Sequence, residues 1–259
     1  MKAEIKGSTM PVLEMVLDPG ESIISDHGEL SWMTTNMQMT QTTSAGGAGG
    51  RGGGLMAGLK RAVGGGSIFL THYEPTGGPG MVAFAAKLPG HIVPLEVADG
   101  QGYLVHRHGW ICGTPGIVPS MGFQQNLKGM LFGGEGFVLQ RLEGQGTAWV
   151  ELSGELTTYE LGAGQGLVVH PGHIGAFQES VTFQVSRLQG IANRYAGGDG
   201  HWIVTLTGPG TILLQSMPLS NLAAALQPYF GGNETTADAV AGGVAGGSVG
   251  GMLGDFLRS

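Results

Sequence analysis

The chain has 259 residues, 51 of them glycine, with 41% hydrophobic and 12% charged residues, a formal net charge of -7 and a pI near 5.5. That hydrophobic share suffices for one large all-β domain or two ordinary ones, and the acidic balance lacks the basic footprint that nucleic-acid binding needs. A single cysteine, Cys112, excludes an intrachain disulfide, and the leading MKAEIKGSTMPVLEMVL has no uninterrupted apolar run, so a reducing, cytoplasmic setting is expected.

Taken in chain order, nearly every ordered segment is short, alternating and bounded by Gly or Pro, which is the pattern of strands. In LSWMTTNMQMT, Met33, Met37 and Met39 share one parity and Thr34, Asn36, Gln38 and Thr40 the other, one face buried and one solvated. Similar runs are IFLTHY, MVAFAA, IVPLEV, YLVHR, FVLQRL, TAWVEL, LTTYEL, GLVVH, VTFQVSRL, HWIVTLT and TILLQS. The turns between them hold Asp18-Pro19-Gly20, Asp99-Gly100, Glu143-Gly144-Gln145-Gly146, Gly162-Ala163-Gly164 and Gly208-Pro209-Gly210, which supply positive φ. One helix is predicted, NLAAALQ, with Ser220 as its cap and Pro228 as its stop. The predicted organisation is a β-sandwich core over 1–228, with a Gly-rich insert at 43–67, and a Gly-rich tail over 229–259.

A frame recurs. Gly20–Leu30 reads GESIISDHGEL and, 126 residues on, Gly146–Leu156 reads GTAWVELSGEL, with a looser copy, GQGYLVHRHGWI, at Gly100–Ile111. The fold class expected is all-β, a duplicated antiparallel sandwich with one short C-terminal helix.

Within the insert, Gly46–Gly66 holds 11 glycines in 21 positions. There Leu55, Met56, Leu59 and Val63 form one side of a short helical wheel and Lys60 and Arg61 the other, a candidate interaction surface. So short a helix orders only by docking, on protein or on an anionic lipid surface. In the tail, Gly242, Gly246, Gly250 and Gly254 repeat every four residues, a small-residue ridge suited to close contact. Ala239–Leu253 is uncharged for 15 residues, short of the ~20 needed to span a bilayer.

Histidines carry the sharpest chemical pattern. Gly100-x5-His106-x-His108 matches the opening of a cupin metal motif, where alternate strand residues aim two imidazoles at one ion, and His170 and His173 offer a second half. The carboxylate such a motif carries soon after its paired histidines is missing, so the expected cofactor set is empty and this metal site is the alternative. GLKRAVGGGS lacks the order of a phosphate loop, and Gly246–Gly250 spells G-x-S-x-G without a strand before it. Cys112 is expected to pack as a small apolar residue. Glu14, Glu96, Glu143, Glu151 and Glu155 are scattered through turns and solvated strand faces with no pairing visible in the sequence, and are expected to provide solubility.

The ordered series PVLEMVLDPGESIISDHGELSWMTTNMQM, GGGSIFLTHY, LPGHIVPLEV, LKGMLFGGEGFVLQRLEGQGTAWVELSGEL and LTGPGTILLQSMPLSNLAAAL resembles the altered-inheritance-of-mitochondria (mitochondrial biogenesis) family, bacterial members included, over about Pro11–Leu226. The resemblance implies a fold similar to the tryptophan RNA-binding attenuation protein and a ring-like homo-oligomer. It brings no catalytic motif and implies a role in inner-membrane organisation. The expected function is accordingly a non-enzymatic scaffold or membrane-peripheral organiser, assembled as a homo-oligomer with a trimer the expected state. No nucleic-acid or small-molecule partner is expected.

Overall fold

The computed structural model describes residues 1–44, 68–125, 137–187 and 202–230. Leu55, Met56, Leu59, Lys60, Arg61 and Val63, and the glycine ridge of the tail, lie outside the described residues. Contacts divide the chain into Met1–Leu222 and Ala223–Ser259.

The first unit is built from antiparallel strands. After β1 (Lys2–Lys6) come β2 (Val12–Leu17), β3 (Ile23–Asp26), β4 (Trp32–Met33), β5 (Met37–Ser44), β6 (Ile68–Pro75) and β7 (Gly80–Ala85). Next are β8 (Gly90–Val97), β9 (Tyr103–His106), β10 (Trp110–Gly113), β11 (Ile117–Gln125), β12 (Phe137–Gly144) and β13 (Gly146–Ser153). Last are β14 (Leu156–Leu161), β15 (Gly166–Val169), β16 (Ile174–Gln178), β17 (Thr182–Arg187), β18 (Trp202–Thr207) and β19 (Gly210–Gln215).

Grouped in sixes from β2, these strands pair the same way three times. The first strand of each six pairs with the sixth, the second and fourth with the fifth, and the third with the sixth. Consecutive modules are joined by one further pairing, the third strand of one against the second strand of the module before it: β10 with β3 and β16 with β9. The sheets that result are β1-β2-β7-β4, β5-β6-β3-β10-β13-β8, β11-β12-β9-β16-β19-β14 and β15-β18-β17.

Each module is therefore a sandwich of two three-stranded halves, and each six-stranded sheet is shared by two modules. Three hydrophobic cores lie between the four sheets. The first holds Leu13, Met15, Phe84, Tyr73 and Trp149; the second Ile24, Trp110, Val105, Val150 and Leu213; the third Leu139, Phe177, Val204 and Ile212. Alternation along a strand in a shared sheet feeds both cores, so Ile23 faces the first and Ile24 the second. A bulge after Trp110 breaks that rule on β10, leaving Trp110 in the second core and both Ile111 and Cys112 in the first. An irregularity recurs at the matching place on β16, between Ile174 and Ala176.

The all-β antiparallel sandwich expected from the sequence is present, but the pairing pattern occurs three times, one more than the doubled sandwich expected. The Gly-Glu-Leu frame misleads because Gly20–Leu30 covers the second strand of a module and Gly146–Leu156 the sixth. The true counterparts are Gly20, Gly100 and Gly164, which turn into the second strand of each module at φ of +90°, +75° and +77°. All three have open space where a Cβ would sit, so the demand for glycine is conformational rather than steric.

Two local expectations fail. LSWMTTNMQMT is two strands, since the Thr34 hydroxyl bonds Asn36 Oδ1 at 2.6 Å and accepts the Met81 N–H at 2.9 Å, closing a turn that ends β4. Met37 is buried while Met39 is exposed, although they share a parity with Met33. The helix, α1, runs Leu219–Phe230, with Ser220 inside it and Pro228 in its last turn rather than after it. Its first turn is closed instead on Pro218, whose carbonyl accepts from the Asn221 and Leu222 N–H groups. A proline that close to a C-terminus removes one hydrogen bond without stopping the helix.

Candidate functional site

The predicted histidine halves end the second strands of successive modules. With the glycine turns aligned, His106 at the end of β9 matches His170 just after β15, and Asp26 at the end of β3 matches both. They therefore lie at strand ends in different sheets. Among the described residues no three His, Cys, Asp or Glu side chains come together as a metal site. The four-histidine centre weighed as an alternative is not formed, because repetition placed its halves one module apart.

Each half has a structural use. His106 donates through Nε2 to the Glu151 carbonyl at 3.0 Å, and loss of hydration lowers its pKa from 6.5 to about 4, so the ring is neutral at pH 7. His173 donates through Nδ1 to the Gln215 carbonyl at 2.8 Å, and its ring meets that of His170 edge-on at 6.0 Å. His108 and His170 are exposed. Cys112 packs as the sequence suggests, fully buried with Sγ 3.9 Å from Met15 Sδ, and burial pushes its thiol pKa up, the opposite of what a nucleophile needs.

The acidic residues have partners that no local sequence pattern shows. Glu14 pairs with Lys6, Glu143 with Arg141 at 3.3 Å, and Glu155 with His91 at 3.4 Å, while Glu96 accepts from the Thr147 hydroxyl at 3.0 Å. These are surface contacts of small worth. Glu151 differs. On β13 it is buried, and with Glu29 from the β3–β4 turn it flanks Lys87 from the β7–β8 connection.

Lys87 Nζ contacts Glu29 Oε1 directly and stands 3.9 Å from Glu151 Oε1, while the Lys87 N–H donates to Glu151 Oε2 at 3.0 Å. Both carboxyls have pKa values raised by burial, with Lys87 opposing the rise. One ammonium is thus shared by two carboxylates at the joint of the first two modules, one bond away from His106 through the Glu151 carbonyl. Chemically the cluster can store a proton and pin three chain segments. The sequence reading missed it because Glu29, Lys87 and Glu151 are far apart in the chain and no local pattern links them.

Comparison with known proteins fits this architecture. The family model described as mitochondrial biogenesis AIM24 matches residues 3–217, and the chain belongs to that family. An uncharacterised protein of Streptococcus pyogenes serotype M6, M6_Spy0233, is 29% identical over 221 residues, 85% of this chain and 86% of that protein. The crystal structure of SPYM3_0169 from Streptococcus pyogenes superposes with a TM-score of 0.68 at 25% identity, covering 88% of this chain and 99% of that one.

Proposed function

We propose that the protein is a non-enzymatic scaffold that works as a homo-oligomer, three copies being the expected number. The observation that carries this reading is how its side chains are spent. Buried Glu151 and Cys112 are engaged in holding the first two modules together and half-buried His106 in tying β9 to β13 within the second, whereas Trp32 and Val168 lie exposed on the two end sheets. Exposed apolar groups on sheet edges suit contact rather than chemistry. A peripheral role at a membrane is the narrower form of the same reading, and it rests on the family resemblance alone. Among the described residues no helix is long and apolar enough to cross a bilayer.

Light scattering on the full chain at micromolar concentration tests the reading. It should return a small whole multiple of 26.6 kDa. A mass of one chain would contradict it.

A further inference from the structure

The end sheets are the two halves of one missing sheet. Inner sheets run in the order fourth, fifth and second strand of one module, then third, sixth and first strand of the next. The sheet β17-β18-β15 is the first half of that order and stops at β15; β4-β7-β2 is the second half and starts at β4, with β1 added beyond β2. Second and third strands are joined at every internal boundary, and β15 and β4 alone lack that partner among the described residues. First and fourth strands, by contrast, end the inner sheets, β8 and β14 on one side and β5 and β11 on the other.

The inner joints also fix a register. Cys112 lies opposite Ser25 and Gly113 opposite Ile24 at one joint; Ala176 lies opposite Val105 and Phe177 opposite Leu104 at the next. In the aligned repeat Trp32 and Met33 stand where Cys112 and Gly113 do, and Val169 and Val168 where Val105 and Leu104 do. We propose that β4 of one copy pairs with β15 of a second copy, Trp32 opposite Val169 and Met33 opposite Val168, completing between chains a third sheet in the six-strand order of the inner ones, with β1 as a seventh strand at its edge. The inference rests on the self-assembly reading above and names the surface through which it happens.

Burial agrees on both faces. Cys112, Ser25, Val105 and Ala176 are wholly buried at the inner joints, while Trp32 is 45% and Val168 61% exposed at the free edges. In the completed sheet Trp32 follows Val169 into the third core of the neighbour, and Val168 follows Met33, which already packs on the first core. Two residue pairs suffice, since the β3–β10 joint has no more. The contact joins unlike surfaces, so it adds copies head to tail and ends when a ring closes. Backbone pairing at an open edge gives the attraction, and the apolar side chains set the register.

Co-expression of two single variants of the full chain, Met33→Cys and Val168→Cys, followed by mild oxidation, tests the register. The pair should give a reducible band of two chains, and each variant alone should stay at one chain, which also controls for buried Cys112. Trp32→Arg, which alters a side chain exposed in the single copy, should lower the mass of the assembly to one chain with the β circular-dichroism spectrum retained. An assembly that does not cross-link and survives Trp32→Arg overturns this surface and leaves the oligomeric reading standing. A single-chain mass for the unaltered protein overturns both. A Met33→Cys/Val168→Cys double variant that cross-links only within one chain shows the sheet closing internally and overturns the pairing between copies.

Discussion

Trp110→Ala is expected to destabilise the protein by about 3–5 kcal/mol, the range for emptying a large aromatic site in a packed core. Trp110 is the largest fully buried side chain, 1% exposed in the second core. Its indole N–H also donates to the Cys112 carbonyl at 2.9 Å, across the bulge that sends Ile111 and Cys112 to the first core. Truncation therefore opens a cavity and removes the donor that braces the bulge at the joint between two modules. For a unit of this size the melting temperature should drop by on the order of 10 °C. Denaturant unfolding of both proteins measures it, and a loss under about 1 kcal/mol would show that Trp110 does not hold the joint.

Lys87→Met should cost less, and its cost should depend on pH. The change keeps the Lys87 backbone N–H on Glu151 but withdraws the ammonium shared by Glu151 and Glu29. Breaking a buried pair costs about 3–5 kcal/mol, and because the lysine side chain is 47% exposed here a loss of about 2 kcal/mol at pH 8 is the expected figure. Both carboxyls already have folded-state pKa values above 4.5, so each binds its proton more tightly folded than unfolded. Stability then falls as pH rises from 4.5 through their folded values. Without the ammonium those values rise further and the decline steepens. Well below pH 4.5, where the carboxyls are protonated, variant and parent should melt together; at pH 8 the variant should melt about 4–8 °C lower. An equal difference at both pH values would mean that Lys87 acts through packing alone. His106 has the opposite sign, since its lowered pKa removes stability as pH falls from 6.5 towards 4, but it is present in both proteins and cancels in the difference.

The strands that read clearly in the sequence are those with one face in a core and one towards solvent. VTFQVSRL alternates and falls on β17, where Phe183 and Val185 pack on the third core while Thr182 and Gln184 are exposed. WICG on β10 does not alternate because all four residues are buried, between two cores and through a bulge. IISD on β3 fails for a similar reason. The turn at Thr34–Asn36 is invisible to parity because its threonine and asparagine match the polar face of a longer strand.

The repeat was legible only in part, since its surviving marks are few: a glycine at 20, 100 and 164 and a polar residue six positions later. The His106 and His170 halves were the strongest of those marks, and they read as two sides of a metal centre because a sequence does not say which sheet a residue enters. The Glu29–Lys87–Glu151 cluster left no local mark. Its members come from a turn, a connection and a strand, and only the pairing of β10 with β3 and β13 brings them together.

The measurement closest to the central claim is amide hydrogen exchange at Trp32, Met33, Val168 and Val169 across a dilution series. If β4 and β15 are the two sides of a sheet shared between copies, both strands should be protected in concentrated protein and lose protection together as the measured mass falls to one chain. The test lies in the amides facing away from β7 and β18, the others being bonded within one copy; protection of those outward amides that ignores dilution, or is lost from one strand and kept by the other, would contradict the account.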